Sequence, residues 1–287
     1  MTENSHRALA SEPDESFDPR SVPLRPAATV MLVRDHPENG LEVFMLQRTM
    51  RAAFAKGMYV FPGGRVDDVD DASELEAMCD RFTDAHASGL LGVPRGGLAY
   101  WIAAIRECFE EAGVLLARRA DEQDALRFDE HSAESRFVEL RRAVNDGELG
   151  FIDMCVNENL RLMTDTIHYV SHWITPVGEV RRFDTRFFIA PAPSAQAPLH
   201  DDRETIDSLW VSPREALDRF ERGDLAMIPP TISNLEFLLP HWTTAEALAA
   251  AQRVGTPVTV LPKLRTDAEG RVVGIILPGD PDYLDAE

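Results

Sequence analysis

The chain has 287 residues, 44% hydrophobic and 27% charged, and its 29 Lys+Arg against 49 Asp+Glu give a formal charge of −20. That length fits one large domain or two ordinary ones and can bury a core without disulfide or metal staples. The acid excess excludes an ordinary nucleic-acid binder and a polybasic membrane-surface protein, which both need clustered Lys and Arg, so an anionic substrate must be met locally.

Residues 1–24 are acidic and dotted with proline, the composition of a mobile tail, and they lack the apolar core of a signal peptide. Apolar runs at 27–33 and 41–46 flank His36-Pro37-Glu38-Asn39-Gly40, which predicts two strands and a turn. A third short strand is expected at 57–61, stopped by Pro62-Gly63-Gly64. The run Asp67-Asp68-Val69-Asp70-Asp71 with Glu74 and Glu76 reads as a solvated loop or helix start. After Pro94-Arg95-Gly96-Gly97 the apolar period predicts a helix from about Leu98 to Arg118. Residues 119–165 are polar and helical in texture, without a strand pattern. Strands are expected at 173–175, 185–189 and 209–211. Ser212 with Glu215, and Thr243 with Glu246, open two helices that end at Gly223 and Gly255. Runs at 258–264 and 272–277 predict a terminal hairpin. The order predicts an α/β (α+β) fold, neither a bundle nor a sandwich.

Cys79, Cys108 and Cys155 form no CxxC and no zinc spacing, which predicts free thiols in a reducing compartment. No apolar run reaches the roughly 18–20 residues that span a bilayer, and the C-terminus carries no retention or peroxisomal signal. The expectation is a soluble cytoplasmic protein with no membrane partner.

One segment carries chemistry: Arg106-Glu107-Cys108-Phe109-Glu110-Glu111-Ala112-Gly113-Val114. On a helix, Glu107, Glu110 and Glu111 fall within roughly 100° of arc, and Ile105, Cys108, Phe109 and Ala112 take the opposite face. Carboxylates crowded on one stripe repel each other unless an Arg or a cation offsets them. Mg²⁺, which takes oxygen ligands and shares protein carboxylates with substrate phosphates, suits such a stripe. An acid cluster alone reads as a solvated helix face. The Gly63-Gly64 turn upstream and Arg106 before the first Glu distinguish this one.

With that context the segment resembles the Nudix hydrolase superfamily, whose signature is G-x5-E-x7-R-E-U-x-E-E-x-G-U with U apolar. Residues 106–114 match every fixed position of its second half. Phe61-Pro62-Gly63-Gly64 matches the lead-in, and Asp70 stands six after Gly64, where the signature has Glu. Thirty-five residues separate Asp70 from Arg106 where the signature has seven, so 28 are inserted. A loop of that size costs little extra closure entropy. Further stretches resemble a branch that includes a coenzyme A diphosphatase of mammalian peroxisomes: Arg25-Pro26-Ala27-Ala28, Leu46-Gln47-Arg48, Trp173-Ile174-Thr175-Pro176, residues 181–188, Ile228-Pro229-Pro230 and Leu277-Pro278-Gly279-Asp280 with Tyr283. Gly57 to Gly64 is similar in part to the coenzyme A signature of other Nudix enzymes, its basic positions loosely matched by Arg48, Arg51 and Lys56.

The resemblance implies a mixed β-sheet sandwiched between helices, and hydrolysis of a nucleoside diphosphate linked to another moiety with Mg²⁺ or Mn²⁺. The metal ligands are expected to be Glu107 and Glu111, with Glu110 and the carbonyl of Gly63, and Arg106 orients a carboxylate. The general base is left between Glu204 and Glu107 or Glu110. Arg48, Arg51 and Arg186 are expected to bind substrate; Arg181 and Arg182 are weighed for phosphate contacts against pairing with nearby acids. His168, His172, Trp173 and Trp210 read as packing or hydrogen-bonding residues. Coenzyme A or an acyl derivative is the first substrate expected. ADP-ribose or NADH is the alternative, and a non-catalytic nucleotide-binding regulator the other class. The expected organisation is an acidic tail at 1–24, a Nudix domain at 25–223 with insertions near 71–98 and 119–165, and an extension at 224–287. The partner is a small nucleotide, with a homodimer as an option.

Overall fold

The computed structural model describes residues 18–50, 55–70, 73–201, 204–269 and 271–285; residues 1–17, which carry most of the expected tail, lie outside it. The first apolar run becomes β1 (Leu24–His36), and a tight turn leads into β2 (Gly40–Arg48). Val33 pairs with Val43 and His36 with Gly40, whose φ of 70° suits only a residue free of Cβ crowding. β1 is buried on both faces. Ala28, Val30 and Leu32 enter one core, and Met31 and Val33 the other, which is why its sequence reads as a continuous apolar run.

β3 (Tyr59–Val60) pairs with β2, and β4 (Gly63–Arg65) pairs with β1 opposite Ala27, Ala28 and Thr29. The long insertion then folds into a 3₁₀ turn (Ser73–Met78) and α1 (Asp84–Leu91) before α2 (Leu98–Ala112). After β5 (Ala117–Arg119) come α3 (His131–Asn145), α4 (Phe151–Asn157) and β6 (Leu160–Leu162). β7 (His168–Ile174), β8 (Arg182–Pro191) and β9 (Thr205–Val211) return to the main sheet, followed by α5 (Pro213–Glu221), α6 (Pro229–Leu238) and α7 (Thr244–Ala251). β10 (Thr259–Val260), β11 (Lys263–Thr266) and β12 (Val272–Ile276) end the chain.

The sheet runs β10-β7-β8-β1-β2-β3, with β4 also on β1 and β9 on β2. β1 and β8 are parallel from Leu24 opposite Arg182 to Val33 opposite Pro191, and the other main pairs are antiparallel apart from β10 with β7. α2, with α1, α3 and α4, covers one face; residues from α5, α6 and α7 (Ala216, Leu235, Leu238, Ala247, Ala251) cover the other. This is the mixed sheet between helices that the resemblance implies.

Three expectations need correction. The helix from Leu98 stops at Ala112, not Arg118, because Gly113 takes a left-handed φ of 68° and its N–H caps the Phe109 carbonyl. Region 119–165 does hold a strand: β6 pairs with β5, and three residues are too few to show a period of two. The terminal hairpin is β11 with β12 alone, since Thr259 and Val260 pair in parallel with His172 and Trp173.

Candidate active site

α2 presents its two faces as the periodicity requires. Ile105, Cys108, Phe109 and Ala112 are buried in the core, Glu107 and Glu111 meet β4 at Gly64 and Gly63, and Glu110 lies beside Arg106. Arg106 organises the acids from below. Its Nε and Nη2 each donate to Asp70 at 3.0 Å, and its Nη1 donates to Glu107 at 2.8 Å and to Glu110 at 3.4 Å. Nη2 also reaches the Arg65 carbonyl at 2.8 Å and lies 3.6 Å from Asp67. The insertion therefore loops out without separating Asp70 from the box. Such a bidentate fork fixes the guanidinium plane, and with it the neighbouring carboxylates.

Glu111, buried, accepts the Gly63 N–H at 2.9 Å and faces Arg48 at 3.4 Å. Arg48 donates from its other nitrogen to Glu204 at 3.0 Å, at the exposed rim. The two glycines make this approach possible. A Cβ on Gly64 would sit 2.5 Å from the Glu107 carboxylate, and one on Gly63 would sit 2.5 Å from the Ala28 carbonyl and the Thr29 hydroxyl.

The charges here do not balance. Asp67, Asp70, Glu107, Glu110, Glu111 and Glu204 share two guanidiniums, Arg106 and Arg48. Burial pushes the pKa of Glu107 up, against the pull of Arg106, and the neighbouring Glu111 and Glu110 push it further. Burial likewise raises Glu111 against Arg48 and the Gly63 N–H, and raises Glu110 and Asp70 in spite of Arg106. Among the described residues no three acid, histidine or cysteine side chains close into a cage of their own. An all-oxygen, overcharged and incomplete donor set fits a hard divalent cation that takes its remaining ligands from water and phosphate.

Asp67, Glu107, Glu111 and Glu204 stand at one side of a cleft of about 670 Å³, whereas Asp70 and Glu110 are held by Arg106 and do not line it. Arg48, Thr49, Gly63, Gly64, Glu107, Glu111 and Glu204 line that side; Trp173, Ile174, Pro176, Phe183, Phe187 and the segment 228–230 give it an apolar wall. Of the expected substrate arginines, Arg48 lines the cleft and Arg51 lies outside the described residues. Arg186 is a correction. It is buried, its Nη1 meets Asp184 and His172, its guanidinium lies 5.5 Å from the Tyr100 ring, and it does not line the cleft. Arg182 is buried too and donates to the Thr175 carbonyl. Arg181 does line the cleft, with Arg25 and Arg65, two residues the sequence pattern did not mark as site residues. The signal for Arg25 is its strand parity with Ala27; Arg65 joins it only through the pairing of β4 with β1.

His172 bonds Asp184 at 2.6 Å and the Thr259 hydroxyl at 2.7 Å, and His168 lies beside Gln252, hydrogen-bonding roles as expected. Trp210 packs at 5.3 Å from Phe44, and Trp173 is a core residue that also borders the cleft. The three cysteines are free and buried. No described helix is long and apolar enough to cross a membrane.

Comparison with known proteins gives the family and the fold. The profile of the NUDT19 Nudix domain matches residues 81–238. Acyl-coenzyme A diphosphatase NUDT19 of Gallus gallus is 28% identical, over 93% of this chain and 83% of its own. The Homo sapiens protein of the same name is 27% identical, over 91% and 77%. Among solved structures, a NUDIX hydrolase from Alicyclobacillus acidocaldarius aligns with a TM-score of 0.62 and 24% identity, covering 80% of this chain and 97% of that one, which supports the fold. The matched profile spans more than half of the sequence, and the chain belongs to the NUDT19 Nudix domain family.

Proposed function

We propose that this Nudix hydrolase is a metal-dependent diphosphatase of coenzyme A and acyl-coenzyme A, cleaving the diphosphate to give 3′,5′-ADP and a 4′-phosphopantetheine compound. The observation that carries the reading is the overcharged set of Glu107 and Glu111 on the wall of a cleft with an apolar side, in a chain similar to acyl-coenzyme A diphosphatases. Glu107 and Glu111 would hold Mg²⁺ or Mn²⁺, with Glu110 and the Gly63 carbonyl as further donors. When bound, the metal neutralises the diphosphate charge and orients it for attack.

This chain's residues do the rest. Arg106 keeps Glu107 and Glu110 in place through Asp70. Glu204, half-tethered by Arg48 at the rim, is the proposed base that takes the proton of the attacking water. The apolar wall suits the pantetheine or acyl limb. The domain reading goes with this one: 25–223 as the hydrolase unit and 224–287 as an extension, α6 of which supplies Pro229, Pro230 and Thr231 to the cleft.

The test is hydrolysis of coenzyme A, acyl-coenzyme A, ADP-ribose and NADH with Mg²⁺ or Mn²⁺, beside Glu111→Gln. We expect the coenzyme A compounds to be preferred and the variant to lose at least about 100-fold, equivalent to ~2.7 kcal/mol of barrier. Undiminished turnover by Glu111→Gln would sink the metal assignment, and a preference for ADP-ribose would sink the substrate.

A further inference from the structure

Arg25, Arg65 and Arg181 stand apart from the other arginines in and around the cleft. All three are exposed, all three line the cleft, and among the described residues none of their side chains makes an ion pair or hydrogen bond. Arg48, Arg106, Arg182 and Arg186 are each tied to a carboxylate or a carbonyl. In a chain with 49 acids against 29 bases, three guanidiniums gathered without a carboxylate are a local inversion of charge.

The sheet register brings them together. Arg65 is opposite Ala27, which lies two residues after Arg25 on β1, so Arg25 and Arg65 are diagonal neighbours on one face. On the other side Arg25 is opposite Phe183, and Arg181 lies two residues before it, which makes Arg181 the second diagonal neighbour. Diagonal positions are about 7–8 Å apart, within reach of long side chains converging on a single anion. Guanidinium forks match the oxygens of a phosphate monoester, which carries nearly two charges at neutral pH.

Arg65 adjoins Gly64, against which Glu107 lies, but the Arg25 and Arg181 end of the cluster is not placed for the scissile diphosphate. Glu111 meets β4 at Gly63, which is opposite Thr29. Arg25 is four residues back along β1, about 13 Å by the rise of a strand. Two phosphates joined by one bridging oxygen do not span that offset, whereas a phosphate carried on the ribose is set apart from the diphosphate by the sugar and suits it better.

We infer that Arg25, Arg65 and Arg181 form a subsite for a phosphate monoester of the substrate, separate from the diphosphate that is cut, and that it selects ribose-phosphorylated nucleotides over those without that group. This rests on the diphosphatase reading above and deepens it. On coenzyme A the monoester is the ribose 3′-phosphate, which ADP-ribose and NADH lack. These arginines are binding residues: they set KM and leave the reacting atoms alone.

The experiment compares coenzyme A with dephospho-coenzyme A, for the wild type and for Arg25→Ala/Arg181→Ala, and in parallel measures binding of adenosine 3′,5′-bisphosphate and of AMP by calorimetry. The expected result is a wild-type preference for coenzyme A of at least tenfold in kcat/KM. The double variant loses that preference through KM, with its rate on dephospho-coenzyme A within about twofold of wild type. It also loses tighter binding of the bisphosphate over AMP. Equal losses on both substrates, or no loss on either, would overturn the subsite while leaving the diphosphatase reading in place. If neither coenzyme is turned over, that reading fails and the calorimetry decides: bisphosphate bound no tighter than AMP overturns the subsite, and a selective loss in the double variant supports it. Because both side chains are exposed, an unchanged melting temperature is expected and verifies the fold of the variant.

Discussion

The acids around Arg106 and Arg48 and the carboxylate between His172 and Arg186 lie in different parts of the same fold, the first around α2 and the second on β8, and their charges balance differently. In the first region six carboxylates share two guanidiniums, and burial raises the pKa of Glu107, Glu110, Glu111 and Asp70. In the second, Asp184 alone faces Arg186 and His172; burial opposes its charge, but the two partners outweigh that and hold its pKa below the usual value. The second network balances its charges within the fold, although the buried Arg186 Nε has no hydrogen-bond partner there. An unbalanced one fits the cation proposed above, and on that reading charge balance separates a structural cluster from a working one.

Substitution should break the two regions in opposite ways. Glu111→Gln, the largest effect expected, abolishes most hydrolysis but leaves thermal stability equal or higher, since it removes a charge that burial disfavours. Asp184→Ala should do the reverse. It leaves the buried Arg186 without its carboxylate, which we expect to cost about 2 kcal/mol in denaturant unfolding, discounted from a fully buried pair because Asp184 is partly exposed. The activity of the folded fraction should stay within about twofold of wild type. If Asp184→Ala melts like wild type, the network is not the structural unit its geometry describes.

Gly64 and Gly63 sharpen the same comparison over one residue of chain. Gly64→Ala places a methyl against the Glu107 carboxylate, the far end of a flexible side chain, so the backbone can stay while the acid moves. An activity loss of roughly tenfold, ~1.4 kcal/mol, with little change in melting is expected. Gly63→Ala meets the Ala28 carbonyl and the Thr29 backbone, which cannot yield as cheaply, and should lower the melting temperature instead. Equal melting of the two variants would show that the β1–β4 pair is looser than its register implies.

Much of the site was legible because α2 compresses it: Arg106, Glu107, Glu110 and Glu111 lie within six positions, and helix geometry alone puts the acids opposite Cys108 and Phe109. Asp70 was legible only through the resemblance, for nothing local in an acid run distinguishes the residue that takes the Arg106 fork from Asp67, which lies farther off, or Asp68. Arg186 was misread for a related reason. Arg181, Arg182 and Arg186 are chemically alike, and which of them faces the cleft depends on the register of β8 with β1, fixed by contacts far away in sequence. Arg65 carried no pattern at all, since β4 is only three residues long. The fold followed the same rule. Long, periodic or well-capped segments such as β1 and α7 were readable, with the Thr243–Glu246 capping box formed as expected, whereas β5 and β6 exist only through each other.

Glu179 extends the comparison to a buried carboxylate whose pKa is shifted by burial alone, in the turn between β7 and β8. Burial pushes it up to about 7, from an unfolded value near 4.5. Below about pH 4.5 the group is neutral in both states and costs nothing. As pH rises toward 7 the unfolded chain releases the proton first, so the folded state loses stability through that window and the penalty is constant above it. Gln cannot ionise and avoids the penalty. Glu179→Gln should therefore match wild type near pH 4 and exceed it by about 1–2 kcal/mol at pH 8, a figure below the full shift because a turn can relax toward solvent. Melting curves taken from pH 4 to 8 check this. A gap that opens between pH 4.5 and 7 and then holds marks a carboxylate opposed by burial alone; parallel curves would mean that Glu179 finds a cation or solvent after all, and that burial by itself does not identify an uncompensated acid in this fold.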